Sequence, residues 1–315
     1  MIVILFNVFT NNKGELNLKK ILSLLLCLTV LTLFSGCAND KETTSNNTEN
    51  TNELKIVTSF YPIYIETINI TKGIDGVVVE NMTKPQTGCL HDYQMTPADM
   101  KKLENANIFI ANGAGMESFL EDIINDQKQL YVIDSSANIP LLIDEHGENP
   151  HVWVSISNCI TQVETITEEL SKIDPNHADQ YHKNAEDYIA RLKDLQNEMH
   201  AAIDPLPNKK IVTFHEAFPY FAEEFNLDIV GVIEREPGTA PTPTELTDII
   251  SQVKNLPTKA LFAEPQYSST AAEAIANETG AKIYTLDPVV TGKDDPDAYI
   301  KAMQENAKTL QEALK

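Results

Sequence analysis

The sequence predicts an α/β protein of two lobes, each with a mainly parallel, helix-covered sheet, joined by one long rigid helix. Apolar strand patterns such as 108–111 and 260–263 alternate with amphipathic helical patterns, which is typical of parallel sheets covered by helices. The segments 54–173 and 205–315 are each long enough for a domain. We therefore expect an N-terminal lobe, a linking helix over 174–204 and a C-terminal lobe.

One apolar stripe marks the linking helix, because its members are alternately three and four residues apart. They are Ala178, Tyr181, Ala185, Tyr188, Leu192, Leu195, Met199 and Ala202. Asp174 followed by Pro175 is typical of a helix start, and Pro205 forbids continuation. The alternatives are a long helix inside one domain or a coiled-coil seam, although a seam usually carries bulkier residues than Ala and Tyr.

The chain opens with a segment typical of export. Two lysines precede the apolar run 21–34, which suits a signal peptide and is short for a membrane span. The Ser-Gly pair before Cys37 resembles the lipobox of bacterial lipoproteins, with Phe34 in the place that Leu usually takes. We expect residues 1–37 to be a lipoprotein signal peptide and Cys37 to be acylated and held in the lipid bilayer. An ordinary cleaved signal and an uncleaved anchor are the alternatives.

Residues 38–53 are polar beyond their first alanine and cannot bury enough surface to fold, so we expect a disordered tether. The whole chain has 24 basic and 46 acidic residues. This balance argues against nucleic acid as a partner and favours a cationic ligand. We expect a monomer displayed on the extracellular face of the cell membrane.

Two further cysteines, Cys89 and Cys159, could pair in an oxidising exterior. Their spacing is not that of a metal-binding cysteine motif. We therefore expect neither to be a metal ligand.

Four residues stand where open parallel sheets bind ligands or in nearby loops. His215 follows the strand pattern 211–214, Asp287 follows another, and His91 and His151 lie in loops of the N-terminal lobe. Each alone is more simply a surface, capping or turn residue. Together, three imidazoles and one carboxylate are a complete four-coordinate set for a divalent transition metal, provided that they converge between the lobes.

Five motifs over about residues 55–315 resemble those of the zinc- and manganese-binding solute-binding proteins of ABC importers. They are HDYQMTPADMKKLENANIFIANGAGMESFLEDI, NPHVWVS, VTFHEAFPYFAEEFNL, PGTAPTPTEL and YTLDPV. The resemblance implies two α/β lobes joined by a rigid helix, an ion held between them and delivery of that ion to a membrane permease. It also implies His91, His151 and Asp287 as ligands.

The resemblance further implies that manganese binders carry Glu where this chain has His215. Imidazole in place of a hard carboxylate shifts the preference from Mn²⁺ toward Zn²⁺. We therefore expect a zinc receptor, with manganese as the alternative ion. Whether Asp287 or a water completes the coordination sphere is open at this point.

Capture and delivery of an ion require no catalysis, so we do not expect an enzyme. A zinc hydrolase of the H-E-x-x-H type would start at His215 with Glu216 as its base, and position 219 would be His instead of Pro219. A surface adhesin is the other alternative and is compatible with transport. Glu216, Glu234 and Glu264 are candidates to fix the imidazole tautomers through hydrogen bonds.

Overall fold

The computed structural model describes residues 53–84, 89–90, 93–120, 123–124, 127–144, 147–234 and 241–315. The expected signal peptide, Cys37, the tether and His91 lie outside these residues. Within the described ranges, no helix combines the length and the apolar character needed to cross a bilayer.

The first sheet has four parallel strands in the order β2-β1-β3-β4. Its strands are β1 (Leu54–Thr58), β2 (Val77–Asn81), β3 (Ile108–Ala111) and β4 (Tyr131–Asp134), and its connecting helices are α1 (Tyr61–Ile70) and α2 (Pro97–Glu104). Every residue of β3 is buried, as expected for a strand covered on both faces. Helix α2 begins with a capping box in which Thr96 and Asp99 bond to each other's backbone N–H groups.

After this sheet the chain forms the short antiparallel strands β5 (Ile143–Asp144) and β6 (Gly147–Glu148). Two long helices follow, α3 (Ile156–Ile173) and α4 (Ala178–Ile203), and they pack against each other. We call the residues from β1 through α3 the first half of the molecule.

The second half contains a second sheet of four parallel strands, in the order β10-β9-β7-β8. Its elements are β7 (Lys210–Thr213), α5 (Pro219–Glu224), β8 (Asp228–Val232), α6 (Pro243–Lys254), β9 (Ala260–Ala263), α7 (Thr270–Thr279), β10 (Lys282–Thr285) and α8 (Ala298–Ala313). Counted along the chain, both sheets place their strands in the order second, first, third, fourth. Two parallel, helix-covered sheets confirm the predicted fold class.

Helix α4 is the predicted linking helix, but it starts at Ala178 and not at Asp174. Asp174 instead caps the end of α3. Its carboxylate lies 2.6 Å from Nδ1 of His177 and accepts a hydrogen bond from the Tyr181 hydroxyl at 2.9 Å. The carboxylate thus contacts the side chains of His177 and Tyr181 and does not cap a backbone N–H of α4. Helix α3, which the sequence analysis did not assign, therefore precedes the linking helix.

Six of the eight residues predicted for the stripe on α4 are buried, whereas Ala178 and Ala202 at its two ends are half-buried. The buried residues are Tyr181, Ala185, Tyr188, Leu192, Leu195, Met199 and Ile203. They belong to one hydrophobic core that includes residues of β1, β3, β7 and α8. Helix α4 packs on α1 and α3 of the first half and on α8 of the second half, so it contacts both halves.

Buried hydrogen bonds also tie the two halves together. The Trp153 indole N–H donates to the Pro288 carbonyl at 2.7 Å, and the Tyr299 hydroxyl donates to the Trp153 carbonyl at 2.8 Å. The Tyr61 hydroxyl donates to the Lys293 carbonyl at 2.7 Å. A large movement of one half against the other would have to break these bonds inside a packed core.

Glu66 is a carboxylic acid buried in this shared core. Its Oε1 accepts a hydrogen bond from the Cys159 thiol at 3.5 Å, whereas Oε2 has no hydrogen-bond partner among the described residues. No disulfide joins Cys159 to Cys89. Burial raises the pKa of Glu66 to about 8, and the Cys159 hydrogen bond opposes that shift only in part. The side chain is therefore protonated in the folded protein at neutral pH.

Glu66 should make the protein less stable as the pH rises from about 4.5 to about 8. Below pH 4.5 the side chain is protonated in both the folded and the unfolded state. Between the two values folding must take up a proton, so the free energy of unfolding falls by up to about 1.4 kcal/mol per pH unit. Glu66→Gln removes this dependence, and the variant should gain stability relative to the wild type between pH 5 and pH 8.

Denaturant unfolding of both proteins at these two pH values measures the effect. Glu186→Gln, which changes an exposed carboxylate on α4, is the matched control and should not alter the pH dependence. A difference between wild type and Glu66→Gln that stays constant with pH would contradict the prediction.

Candidate metal centre

The second sheet places two functional side chains next to each other. Strands β7 and β9 are neighbours, with Thr213 opposite Phe262. His215 follows the end of β7 and Glu264 follows the end of β9, at the edge where open parallel sheets bind ligands. His215 is fully buried and Glu264 is 3% exposed, so neither side chain is screened by water.

Two side chains from the first half meet His215. The Nε2 atoms of His151 and His215 are 3.3 Å apart, and Sγ of Cys89 is 3.4 Å from Nε2 of His151. One ligand atom from each of the three residues lies within 4.8 Å of the other two, and all three residues are buried. Among the described residues, this is the only group of at least three His, Cys, Asp or Glu side chains that close together.

Each imidazole is oriented by an oxygen on its far side. Nδ1 of His151 lies 3.0 Å from Oδ1 of Asn149, and that oxygen also accepts the His151 backbone N–H at 3.0 Å. The Asn149 amide nitrogen donates to the Glu216 carbonyl at 3.0 Å, which fixes the orientation of the amide. Nδ1 of His215 lies 2.5 Å from Oε1 of Glu264. Both Nδ1 atoms therefore face hydrogen-bond acceptors.

Aromatic rings enclose the cluster. The Tyr267 ring lies edge-on to His215 with 5.8 Å between centroids, and the Trp153 ring is 5.3 Å from that of His151. The Tyr267 hydroxyl accepts the backbone N–H of Cys89 at 3.1 Å. A residue of the second half thus holds the Cys89 backbone beside the two imidazoles.

Negative charge is costly beside this cluster. Burial raises the pKa of Glu264, the neighbouring His215 lowers it, and Asp287 raises it again. Oε2 of Glu264 is buried without a hydrogen-bond partner among the described residues. Burial also raises the pKa of Asp287, although bonds from Gln266 and from the Val289 backbone oppose the shift. A cation bound at the imidazoles would offset this unfavourable charge.

The spacing of the two imidazoles suits a transition metal. Tetrahedral Zn²⁺ bonds to histidine nitrogens at about 2.0–2.1 Å, which places two such nitrogens about 3.3 Å apart. The Nε2 atoms of His151 and His215 are separated by 3.3 Å. The donor set and its spacing therefore fit a four-coordinate ion.

The structure brings together two of the four expected ligands, His151 and His215. His91 lies outside the described residues. Asp287 is not a member of the cluster, and its Oδ1 accepts hydrogen bonds from Gln266 at 3.1 Å and from the Val289 N–H at 2.8 Å.

Cys89, which the sequence analysis expected not to bind metal, lies in the cluster. Its position two residues before His91 was the one available signal for this placement. Of the three glutamates considered for orienting the imidazoles, Glu264 contacts His215 through its carboxylate. Glu216 contributes its backbone carbonyl to Asn149.

Comparison with known proteins leads to the family that the sequence motifs resemble. Residues 56–313 match the ZnuA family, described as zinc-uptake complex component A, periplasmic. The manganese-binding lipoprotein MntA of Halalkalibacterium halodurans is 27% identical, over 94% of this chain and 99% of its own length. The high-affinity zinc uptake system protein ZnuA of Bacillus subtilis is 28% identical, over 90% of this chain and 94% of its own length.

A solved structure supports the same assignment. The laminin binding protein Lmb of Streptococcus agalactiae, described as bifunctional with adhesin and metal transporting activity, superposes with a TM-score of 0.76. The identity is 27%, and the alignment covers 83% of this chain and 100% of that one. Together with the family match over most of the sequence, these similarities confirm the predicted resemblance: the chain belongs to the ZnuA family of metal-binding solute-binding proteins.

Proposed function

We propose that this protein is an extracytoplasmic zinc receptor that captures the ion between its two halves and delivers it to an ABC-type membrane importer. The observation that carries the proposal is the pair of imidazole Nε2 atoms that face each other at 3.3 Å while both Nδ1 atoms face oxygens. The zinc uptake protein of Bacillus subtilis, similar over 90% of this chain, supports the same function.

The hydrogen bonds determine which nitrogen of each ring carries the proton and which has the lone pair. A neutral imidazole has one N–H donor and one lone pair. Because Oδ1 of Asn149 and the carboxylate of Glu264 accept hydrogen bonds, Nδ1 of His151 and of His215 is the donor. Both lone pairs are then on Nε2, and the two Nε2 atoms are 3.3 Å apart. A divalent ion between them would accept both lone pairs.

The full ligand set that we propose adds His91 and Asp287 to His151 and His215. His91 follows Cys89, a member of the cluster, by two residues in the sequence. Asp287 follows β10 and is close enough to raise the pKa of Glu264. Its carboxylate, or a water in its place, would complete the coordination sphere.

Zinc is the proposed ion and manganese is the alternative. Imidazole suits Zn²⁺, whereas Mn²⁺ prefers carboxylate and water oxygens. His215 is an imidazole held by Glu264, so its ring is oriented for metal binding. The manganese-binding relative MntA, similar over most of its length, is the reason for keeping manganese as the alternative.

The family and the packing both favour a protein that delivers an ion over an enzyme. The ZnuA family comprises binding components of uptake systems and not enzymes. The shared core and the buried bonds of Trp153 with Pro288 and Tyr299 permit small adjustments between the halves and resist wide opening. We propose that a permease docks across both halves and receives the ion there.

Adhesion is a second candidate function and can coexist with transport. The observation that favours it is the similarity to the Streptococcus agalactiae protein, which is described as having both activities.

For either function we propose that Cys37 is acylated and that the polar tether 38–53 holds a monomeric receptor at the outer face of the cell membrane.

The first test concerns the imidazole tautomers. In ¹⁵N-histidine NMR spectra of the metal-free protein, His151 and His215 should both carry their proton on Nδ1. Added Zn²⁺ should shift the Nε2 resonances of both. Glu264→Ala should alter the tautomer equilibrium of His215 and leave that of His151 unchanged, because Asn149 still holds the second ring. A proton found on Nε2 of either ring in the metal-free wild type would contradict the lone-pair arrangement.

The second test concerns the ion. The full chain in detergent should bind Zn²⁺ in preference to Mn²⁺ in a competitive titration. His215→Glu should lower the Zn²⁺ affinity by on the order of tenfold or more and shift the preference toward Mn²⁺. His182→Glu, on the partly buried flank of α4, is the matched control and should change neither affinity. A wild type that prefers Mn²⁺ would overturn the choice of ion, and one that binds neither ion would overturn the receptor function.

The third test concerns the anchor. Cells that express the full chain and are grown with labelled palmitate should yield a labelled, membrane-bound protein. Cys37→Ser should carry no label, and Cys27→Ser, within the signal segment, should be labelled like the wild type. Equal labelling of Cys37→Ser and wild type would exclude Cys37 as the acylation site.

A further inference from the structure

Cys89 is the member of the cluster that neither the family motifs nor the charge pattern indicated. It is 8% exposed, and its Sγ lies 3.4 Å from Nε2 of His151 and within 4.8 Å of the ligand atom of His215. We infer that Cys89 is a thiolate ligand of the captured ion and selects zinc against manganese. This inference rests on the proposed function, because it changes the ligand set of the same site.

The distances at Cys89 agree with coordination. Zinc bonds to cysteine sulfur at about 2.3 Å and to histidine nitrogen at about 2.0–2.1 Å, so a tetrahedral ion separates sulfur from nitrogen by about 3.6 Å. The Cys89–His151 distance is 3.4 Å and the His151–His215 distance is 3.3 Å. Both distances are close to the edges of one zinc tetrahedron. A thiol that only donates a hydrogen bond to His151 would stand at a similar distance, and the experiment below separates the two roles.

The cysteine is held in place from both halves. Its backbone N–H donates to the Tyr267 hydroxyl at 3.1 Å, and the Tyr267 ring stacks on that of Phe214 with 9° between the planes. Phe214 directly precedes His215. The segment that carries His215 therefore also supports Tyr267, which holds the Cys89 backbone. Cys159 provides the contrast, since it is equally buried but contacts Glu66 and is not part of the cluster.

A thiolate ligand would change which ion the site prefers. Thiolate is a soft ligand that binds Zn²⁺ well, whereas Mn²⁺ prefers hard oxygen ligands. It would also bring one negative charge into direct contact with the ion. With two imidazoles and one thiolate bound, one position of the tetrahedron remains, so Cys89 takes the place of one of the two other ligands proposed above, His91 or Asp287.

Cobalt substitution tests the inference on the full chain in detergent. Tetrahedral Co²⁺ gives visible d–d bands, and a thiolate ligand adds a sulfur-to-cobalt charge-transfer band in the near ultraviolet. We expect both features in the wild type. Cys89→Ser should keep the visible bands and lose the near-ultraviolet band, and Cys159→Ser, the matched control, should keep both. In competition, Cys89→Ser should lower the Zn²⁺ affinity by on the order of tenfold or more with little effect on Mn²⁺.

The outcomes separate this inference from the receptor function. In one outcome the wild type shows the visible bands but no near-ultraviolet band, and His215→Ala loses the visible bands. This outcome would refute the role of Cys89 and leave the receptor function intact. A wild type that binds neither Co²⁺ nor Zn²⁺ would overturn both. X-ray absorption of the zinc-loaded wild type provides a test without a variant. A sulfur neighbour at about 2.3 Å supports the inference, and a shell of nitrogen and oxygen alone overturns it.

Discussion

The contact between His215 and Glu264 is the interaction on which the site depends. It joins the ends of two neighbouring strands, so the pairing of β7 with β9 sets its geometry. The carboxylate accepts a hydrogen bond at Nδ1 of His215, while Nε2 of the same ring faces Nε2 of His151. Burying this carboxylate is unfavourable, as its raised pKa indicates, and the imidazole and a bound cation together offset that cost.

The rest of the fold keeps the partners of this contact within bonding distance. Cys89 and His151 belong to the first half, and His215 and Glu264 belong to the second. The site therefore exists only while the two halves keep their relative position. The stripe of α4 lies in the core that both halves share, and Trp153 is bonded to both Pro288 and Tyr299. Packing of the large common core thus keeps the side chains of Cys89, His151 and His215 close together.

Much of this architecture could be predicted from local patterns. The apolar runs 108–111 and 260–263 are β3 and β9, because a buried parallel strand is apolar throughout. The stripe of α4 was recognised because one face of a helix repeats about every 3.6 residues. Helix α3 was missed because polar Gln162, Thr165 and Thr167 lie on its buried face and obscure that repeat.

The site was less predictable, because convergence depends on strand order. His215 was identified because it follows β7, at the centre of its sheet. Asp287 follows β10, an edge strand separated from β7 by β9, or by roughly 10 Å at about 4.8 Å per strand, so it can share an ion with His215 only if the loop after β10 extends toward β7. A sequence alone does not reveal this order. Cys89 carries no spacing signal, and only the path of its loop brings it to the imidazoles.

Trp153 adds a spectroscopic property to this arrangement. It is the single tryptophan of the chain, it is fully buried, and its ring lies 5.3 Å from that of His151. The intrinsic tryptophan fluorescence of the protein therefore comes from one indole next to the imidazole of His151. Its N–H is bonded to the Pro288 carbonyl of the other half. An ion bound by His151, or a displacement of one half against the other, would consequently change the surroundings of this one fluorophore, which needs no attached dye.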